Sequence, residues 1–275
     1  MSTGPTHAVM GLAAWGGVSL IAVAHGTPVD LHTWVAGAAL TSGAALLPDL
    51  DHPPATVSRS LGPITKVLAH GVNGLSVGIY NLIRLERDPH RDGGHRTFTH
   101  TAVFAALAGT VATAIVLLGN PWITAAVFFF LASLGVRGLL HEWDHQADTF
   151  VTMAAALGLT WECWRWLAGG AHRAEWFGVA VVAGCLAHCL GDMLTEDGCP
   201  LLWPLPLGWR LWYPIGLPSP LAYRTGGKVE LIVIGPLFTL LSVWLGMVAL
   251  QRTGVVPWLR YVPLVPHFNW LASML

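Results

Sequence analysis

The chain has 275 residues, of which 54% are hydrophobic and only 11% are charged. Soluble domains carry roughly 25% charged residues, so this composition excludes an ordinary soluble domain and indicates a membrane protein. The formal net charge of −1 supplies no global basic field, and we therefore expect no nucleic-acid partner. The stretch after Met1 lacks the basic region and cleavage site of a signal peptide, which predicts that the first apolar segment is retained.

Seven apolar segments have about the length that a helix needs to cross a bilayer. The predicted spans are residues 8–25, 33–48, 99–118, 121–140, 149–168, 175–191 and 230–250. The second segment is short and ends at Pro48, so it only just reaches across. The pattern predicts an all-α, polytopic transmembrane helical bundle of about seven spans, which forms one domain over residues 1–275.

Three further segments are expected near the membrane surface. Residues 64–84 are apolar but interrupted by polar side chains, which is typical of an interfacial amphipathic helix. Residues 192–229 are rich in proline, glycine and tryptophan, and we predict an ordered loop at the level of the headgroups. The apolar stretch 255–275 contains prolines and is a second candidate for an interfacial position.

The motif LPDLDHP places two carboxylates and an imidazole at the end of the second predicted span. Its residues are Asp49, Asp51 and His52. The flanking prolines fix the backbone, so the two carboxylates could share one or two cations. The alternative is an ordinary polar helix end with capping aspartates.

The motif HRTFTH places His95 and His100 around the start of the third predicted span. Thr97 or Thr99 is expected to cap that helix, which would leave His100 in its first turn. Histidine is the commonest metal ligand, and its second nitrogen can donate to a carboxylate. Alternatively, the two histidines beside Arg96 form a basic interfacial cluster.

His188 and Asp192 are four residues apart on an apolar helix, so both side chains project from the same face. This spacing suits one cation, although a buried His–Asp hydrogen bond is an equal alternative. Glu230 opens the last span as a ligand, a general base or a helix-start acid. His7 precedes the first span and is either a terminal ligand or a surface residue.

All of these groups fall on the same side of the membrane if the span count is correct. Ionisable side chains at membrane depth are costly to keep, so we treat them as candidates for a functional site. The same side carries ten of the fourteen lysines and arginines. Because positive loops stay in the cytoplasm, the site is predicted to face the cytoplasm.

The mixture of imidazoles and carboxylates suits zinc, manganese or iron better than calcium, and we expect zinc first. With up to seven candidate ligands, either one or two ions are plausible. A bound cation of this kind lowers the pKa of water towards 7 and so provides a nucleophile. The candidate catalytic residues are Asp51, His100, Glu230 and Arg96.

Two other sets of ligand-type residues fall outside this group. His141, Glu142 and His145 match the zincin pattern HExxH literally, but nothing else in the sequence supports a protease fold. We favour a polar loop there and leave a second metal site open. The four cysteines are expected to be core residues, with a thiolate ligand at Cys189 or Cys199 as the alternative.

These motifs resemble those of the YdjM-type family of bacterial inner-membrane proteins, which are described as membrane-bound metal-dependent hydrolases. The resembling stretches are THAVMG (6–11), LLPDLDHP (46–53), GHRTFTHT (94–101), LAHCLGDMLTEDGCPLLWP (186–204) and GGKVE (226–230). The resemblance implies a multi-pass membrane hydrolase in the bacterial inner membrane. The metal ligands that it implies are His7, Asp49, Asp51, His52, His95, His100, His188 and Asp192, with Glu230 less directly. The chain differs in a longer insert at 67–93 and an added pair of spans within 121–168.

The expected function is hydrolysis by metal-activated water at the cytoplasmic membrane surface. Arg96, Lys228 and Lys66 are available to neutralise a phosphate, which favours an amphiphilic substrate such as a phosphoester or a lipid. A divalent-cation transporter or channel is the alternative, because histidines and aspartates also line ion pathways. A metal-stabilised scaffold without activity is a third possibility. The sequence leaves the substrate, the metal and the oligomeric state open.

Overall fold

The computed structural model describes residues 3–55, 57–91, 93–140, 145–170, 173–254 and 256–262. Its helices are α1 (Gly4–Ala24), α2 (Leu31–Ala44), α3 (Pro63–Ile83), α4 (Ala102–Leu117), α5 (Pro121–Leu139), α6 (His145–Glu162), α7 (Trp164–Leu167), α8 (Ala174–Met193) and α9 (Gly235–Thr253). A π-helical turn, Glu230–Ile234, leads directly into α9, and 3-10 helices cover Pro48–Asp51, Val57–Arg59, Phe98–His100 and Pro257–Tyr261. The predicted all-α class is confirmed.

Side-chain caps fix where two of these helices begin. Asp30 accepts a hydrogen bond of 2.7 Å from the backbone N–H of Thr33 at the start of α2. Asn120 does the same for the N–H of Trp122 at 3.0 Å, and Pro121 occupies the first turn of α5. Both arrangements satisfy backbone donors that have no partner within the helix.

The start of α4 differs from the prediction. Thr101 caps this helix by accepting a hydrogen bond of 3.1 Å from the N–H of Phe104. The expectation that Thr97 or Thr99 is the cap was wrong, because Phe98–His100 forms a separate 3-10 turn before the helix. His100 therefore lies just outside the helix, where its side chain can reach its neighbours from a tight turn.

Among the described residues, four helices are long and apolar enough to cross a membrane: Gly4–Ala24, Pro121–Leu139, Ala174–Met193 and Glu230–Thr253. Helix α4 is apolar but shorter, and α2 has only 14 residues. The predicted count of about seven spans is thus not confirmed. The second span is short because the chain leaves the helical path after Ala44 and turns at Pro48.

The helices pack around α2 and α8, which lie side by side in the centre. Helix α1 packs on α2, α8 and α9, while α5 covers α2, α4 covers α8 and α6 covers α5. The core between them is apolar and includes Trp15, Leu40, Phe128 and Phe177, all fully buried. Gly184 permits the close approach of α8 to α2, because a Cβ there would lie 2.4 Å from the Thr41 carbonyl oxygen.

Helix α3 covers the predicted interfacial segment and is amphipathic. Its polar and small side chains, such as Thr65 and Ser76, are buried, and the helix packs against the 3-10 turn Pro48–Asp51. Its large apolar side chains point away from the protein, with Ile64 64% and Leu82 84% exposed. The helix is therefore inverted relative to a soluble surface helix, which suits an apolar environment outside the bundle.

Between α8 and the turn at Glu230 the chain forms a long loop fixed by isolated backbone bridges, such as Cys199 with Ile215. The buried carboxylate of Asp88 accepts hydrogen bonds from the N–H groups of Leu211 and Trp212, at 3.1 and 3.0 Å. This contact ties the insert at 67–93 to the loop. Of the predicted interfacial stretch 255–275, residues 255 and 263–275 lie outside the described residues.

Candidate metal centre

Four separate segments deliver ligand-type side chains to one end of the bundle. His7 comes from the first turns of α1, and the 3-10 turn after α2 supplies Asp49 and Asp51. The turn before α4 supplies His100, and the last turns of α8 supply the pair His188 and Asp192. All six side chains are buried. Residues that are up to 185 positions apart thus meet at one place, and the apolar helices determine where their ends lie.

The inner cluster consists of His7, Asp49, His100, His188 and Asp192. The His188 Nε2 atom lies 3.1 Å from His100 Nε2 and 3.6 Å from Asp49 Oδ1. Asp192 Oδ2 lies 3.4 Å from His100 Nε2 and 3.7 Å from His188 Nε2. His7 Nε2 approaches the other oxygen, Asp192 Oδ1, at 3.4 Å. The donor atoms form two overlapping metal-capable groups, His7–His188–Asp192 and Asp49–His100–His188, which share His188.

This geometry fits a divalent metal. Tetrahedral zinc has bonds of about 2.0–2.1 Å to imidazole and carboxylate ligands, which places neighbouring donors about 3.4 Å apart. Within the described residues, Asp49 Oδ1 and both ring nitrogens of His7 are buried without a hydrogen-bond partner. Leaving such groups without a partner is costly, and a coordinated cation would satisfy them. The donor set of nitrogen and oxygen also matches zinc, manganese and iron.

The orientation of two imidazoles is set by contacts outside the inner cluster. His188 Nδ1 lies 2.8 Å from the Ala45 carbonyl oxygen, which can only accept, so Nδ1 carries a proton and the Nε2 lone pair points inwards when the ring is neutral. The other side of His100 faces Thr99, whose hydroxyl lies 3.0 Å from Nδ1. That hydroxyl donates a hydrogen bond of 2.5 Å to Asp51 Oδ2. Carbonyl and carboxylate partners of this kind are typical behind metal-binding histidines.

An outer cluster, formed by Asp51, His95 and His52, connects the centre to the surface. Asp51 Oδ1 lies 2.7 Å from His95 Nδ1, and its Oδ2 lies 3.4 Å from His100 Nδ1. The His95 side chain is 24% exposed, and its ring lies 4.5 Å from that of His52. Asp51, His95 and His100 together could hold a second ion. His52, in contrast, belongs to none of the metal-capable groups found among the described residues.

The charges of the two clusters are strongly interdependent. Burial on its own would raise the pKa of Asp51, but the imidazoles of His100 and His95 outweigh it and lower that pKa below its ordinary value. Burial opposes the positive charge of His100, yet the carboxylates of Asp51, Asp192 and Asp49 raise the pKa of that ring well above its ordinary value. The carboxylates therefore attract positive charge to the centre, whether it is a proton or a metal ion.

Arg96 is buried and has a backbone φ of 55°, a left-handed conformation that is rare for arginine. Its guanidinium lies 3.3 Å from Asp192 Oδ1 and donates hydrogen bonds to the Gly198 carbonyl at 2.9 Å and the Thr195 hydroxyl at 3.2 Å. It also forms an ion pair with Asp197. These protein groups contact the guanidinium, and the predicted roles of Arg96 in catalysis and towards a substrate phosphate stay predictions. The guanidinium holds Asp192 in place.

Glu230 is fully buried but lies apart from both clusters. Its carboxylate accepts hydrogen bonds from the backbone N–H groups of Thr3 at 2.5 Å and Gly226 at 2.7 Å. It belongs to no metal-capable group among the described residues. Of the three predicted roles, these contacts favour the helix-start acid, and the bond to Thr3 also ties the start of α1, which carries His7, to the last span.

Sequence analysis missed several groups that support the centre. The Asn73 side chain donates a hydrogen bond of 2.6 Å to the Asp51 carbonyl, and the Ser58 hydroxyl donates one of 2.8 Å to the His52 carbonyl. Neither residue lies in a recognisable motif, so no local signal identifies it. Thr99, by contrast, lies inside HRTFTH and was considered only as a cap.

Two alternative metal sites were predicted, one at the cysteines and one at the HEWDH motif. All four cysteines are buried and free, and none belongs to a metal-capable group in the described part of the chain, in agreement with a core role. Of the HEWDH motif, residues 141–144 and the side chain of His145 lie outside the part of the chain that the structure describes. A second site there stays a prediction.

Comparison with known proteins agrees with the motifs. A sequence model of the family described as YdjM inner membrane protein matches residues 1–144 and 148–263. The chain belongs to this family. Two proteins named "Inner membrane protein YdjM", from Escherichia coli (strain K12) and Shigella flexneri, are each 28% identical to the chain over 215 residues. The alignments cover 78% of this chain and 67% of each relative.

No solved structure matches the chain. Membership of the family confirms the resemblance seen in the motifs and places the chain among inner membrane proteins. The long apolar helices agree with that location. The residues of the inner cluster all fall inside the two matched segments, whereas residues 145–147, which begin with the last histidine of the HEWDH motif, fall between them.

Proposed function

We propose that the chain is a membrane-bound, metal-dependent hydrolase that acts on a phosphoester or lipid-like substrate. The observation that carries the proposal is the inner cluster, in which five buried ligand-type side chains from four segments form two metal-capable groups that share His188. Such a concentration of ionisable groups in an apolar bundle is costly to maintain, so a functional role is its best explanation.

A divalent metal, with zinc as the first choice, would be held by His100, His188, Asp49 and Asp192. His7 would be an additional ligand or would replace one of these four. A bound metal would act as a Lewis acid and activate water for attack at neutral pH. Asp51 orients His100 from behind, and it also holds His95. In a two-metal arrangement the same carboxylate would bind the second ion together with His95 and His100.

His95 is the group placed to exchange protons with the surroundings. One side of its ring contacts Asp51 at 2.7 Å, and the side chain is partly exposed. Histidine changes its charge near neutral pH and commonly serves as a general acid or base. The path from His52 through His95 to Asp51 is thus the best route for a proton to or from the buried centre.

The surroundings favour an amphiphilic substrate at the membrane surface. Helix α3 packs on the turn that carries Asp49 and Asp51, and it presents exposed apolar side chains on its other face. We propose that this helix lies in the interface between lipid and water, beside the site. Lys66 on α3 and Lys228 before Glu230 are both exposed and would attract an anionic headgroup.

The proposal includes about seven membrane crossings and a cytoplasmic site. Helices α2, α4 and α6 pack lengthwise on the long helices and would cross with them, which puts all the ligand-bearing ends on one side. Ten of the fourteen lysines and arginines belong to that side on this topology. The positive-inside rule therefore favours a site that faces the cytoplasm.

One observation favours a second candidate, a metal-stabilised scaffold. The inner cluster offers at least four protein donors and is completely buried, whereas catalytic zinc sites keep a position open for water or substrate. Catalysis therefore requires one donor, such as His7, to stay outside the coordination sphere. Transport is less favoured, because the described core between the two ends is apolar.

Purified protein in detergent, loaded with zinc, manganese or iron, tests the proposal. Bound metal is measured by mass spectrometry, and hydrolysis is screened on phosphomonoesters, phosphodiesters and phospholipids. We expect turnover with the wild type and its loss in His188→Ala and Asp51→Asn, with folding checked by circular dichroism. His32→Ala, at the opposite end of the bundle, is the matched control and should keep full activity.

The outcomes separate the three functions. Tightly bound metal without turnover on any substrate, together with a large loss of thermal stability on chelation, would identify the scaffold. Cation flux into liposomes that depends on His188 would identify a transporter. Turnover that survives both site variants would exclude this centre as the place of hydrolysis.

A further inference from the structure

A separate cavity of about 300 Å³ lies beside α1, on the same end of the bundle as the metal centre. Its walls come from the start of α1, the end of α5, the segment after α2, Val57 and the start of the last span. Among the described residues, none of the metal-ligand candidates lines it. The volume is at the lower end of the range for ligand pockets, roughly 300–1,000 Å³.

The cavity combines an apolar wall with one cationic side chain. Leu46, Val57, Leu134 and Leu231 contribute hydrophobic surface, and Arg137 is the charged side chain among the described lining residues. Arg137 is 7% exposed, so its guanidinium is held inside the protein rather than in water. Arginine presents a planar set of donors that matches a phosphate group, and a buried arginine at membrane depth marks a functional site by default.

The cavity also faces the region where lipid would lie. Leu231 is 59% exposed and Leu139, next to the lining residue Leu140, is 43% exposed, so the opening lies between α5 and the last span. Both helices are long and apolar enough to cross a membrane. An acyl chain that runs along these helices would place its headgroup at the level of Arg137.

The start of α1 adds a favourable field. Thr3, Gly4 and Pro5 line the cavity, and the amino-terminal end of a helix carries partial positive charge. The nearby carboxylate of Glu230 is fully buried and accepts the N–H groups of Thr3 and Gly226, and it does not line the cavity. Within its described lining, the cavity therefore combines one cationic side chain and the start of a helix with hydrophobic surface elsewhere.

We propose that this cavity binds the phosphate headgroup of an anionic phospholipid, with Arg137 as the residue that recognises it and the lipid chain seated between α5 and the last span. This proposal does not depend on hydrolysis at the metal centre. It assigns to the protein a lipid site at the same end of the bundle, on the other side of the first turn of α1.

Native mass spectrometry of the detergent-purified protein, titrated with phosphatidylglycerol or phosphatidylcholine, tests the proposal. We expect one preferential phosphatidylglycerol adduct in the wild type and a loss of roughly tenfold or more in its affinity in Arg137→Gln, because charge-assisted hydrogen bonds are lost. Arg137→Lys should keep part of the preference. The exposed Arg252, in the last turn of α9, supplies the control Arg252→Gln, which should bind like the wild type.

Three outcomes would overturn the proposal: equal phosphatidylglycerol binding by the wild type and Arg137→Gln, equal loss in Arg252→Gln, or displacement of the lipid by millimolar inorganic phosphate. The last result would show that a soluble anion is the ligand. If Arg137→Gln does not fold, the preference is measured in Leu134→Trp, which fills the cavity from its apolar wall, and binding there should also be lost. His188→Ala should retain the lipid, which separates this site from the metal centre.

Discussion

The two ends of the bundle carry similar residue types but arrange them in opposite ways. At the end opposite to the metal centre, Asp30 pairs with Arg173 at 3.3 Å and His32 approaches Glu162 at 4.0 Å. The His32 and Glu162 side chains are 50% and 71% exposed. At the metal-centre end, every member of the inner cluster is buried and faces several partners.

This difference shows that residue type alone does not make a site. Exposed ion pairs contribute little, because water and salt screen them and long side chains lose entropy on pairing. Buried groups that converge without enough protein partners are costly, so they persist where a ligand or a reaction requires them. Mutations at the two ends are therefore expected to differ in their effect on metal binding.

The largest effect is expected for His188→Ala, which removes a central donor of the inner cluster. Mutation of a residue that only hydrogen-bonds to a metal ligand typically lowers metal affinity by roughly 10–100-fold. Loss of a direct ligand should therefore weaken zinc binding by more than about 100-fold. The affinity is measured by competition with a zinc chelator. His32→Ala should leave it unchanged, and an unchanged affinity in His188→Ala would remove the distinction between the two ends.

Asp51→Asn should have the next largest effect. Asparagine keeps the shape of the side chain but cannot hold His95 and His100 by charge, so we expect a loss of about 10–100-fold in zinc affinity. The number of metal ions per chain, measured by inductively coupled plasma mass spectrometry, distinguishes two roles for Asp51. A fall from two ions to one per chain would make Asp51 a ligand of a second ion, whereas an unchanged ion count would make it the orienting partner of His100.

Gly191→Ala probes how tightly the inner cluster is packed. A Cβ at this position would lie 2.8 Å from Met10 Sδ and 3.1 Å from His7 Nδ1, so the His7 ring must move. Overpacking of this kind costs about 1–3 kcal/mol, and we expect zinc affinity to fall by roughly five- to tenfold or more.

Gly17→Ala is the matched control, because nothing lies within 4 Å of a Cβ there. The cobalt-substituted protein provides a second measurement, since the visible absorption bands of cobalt report a change in its ligands. Wild-type cobalt spectra and zinc affinity in Gly191→Ala would show that His7 stands outside the coordinated set.

The fold could be predicted well where an apolar segment is long and its ends are marked by helix-start or helix-stop residues. The predicted span at 121–140 coincides with α5, because Asn120 and Pro121 mark its start unambiguously. The span at 175–191 is likewise found within α8. The shorter segments were less certain, since the ends of α2 and α4 depend on tight turns whose geometry comes from tertiary contacts.

The candidate site was predictable as a set of residues but not as a geometry. Helix parity indicates that His7, His100 and His188 share one end of the bundle, yet it does not say which nitrogen faces which carboxylate. The roles of Arg96 and Glu230 show the limit most clearly. Each is of a type suited to catalysis, but contacts with backbone groups far away in the chain direct both towards support of the centre.

The smallest effect is expected at the opposite end, for Asp30→Asn. Burial tends to raise the pKa of Asp30, but the hydrogen bonds from Thr33 and the charge of Arg173 outweigh it and lower that pKa. The charged form is therefore favoured in the folded protein, and its stabilisation is present above the ordinary pKa of about 3.9 and is lost as the pH falls through the lowered value.

Asparagine is an equally good helix cap, so near pH 7 we expect a loss of less than about 1 kcal/mol and unchanged zinc affinity. Thermal unfolding in detergent at pH 7 and pH 3 measures this, and the difference between wild type and variant should shrink at the lower pH. A loss of zinc affinity in Asp30→Asn would show that the two ends are coupled through α2, whose end leads directly to Asp49.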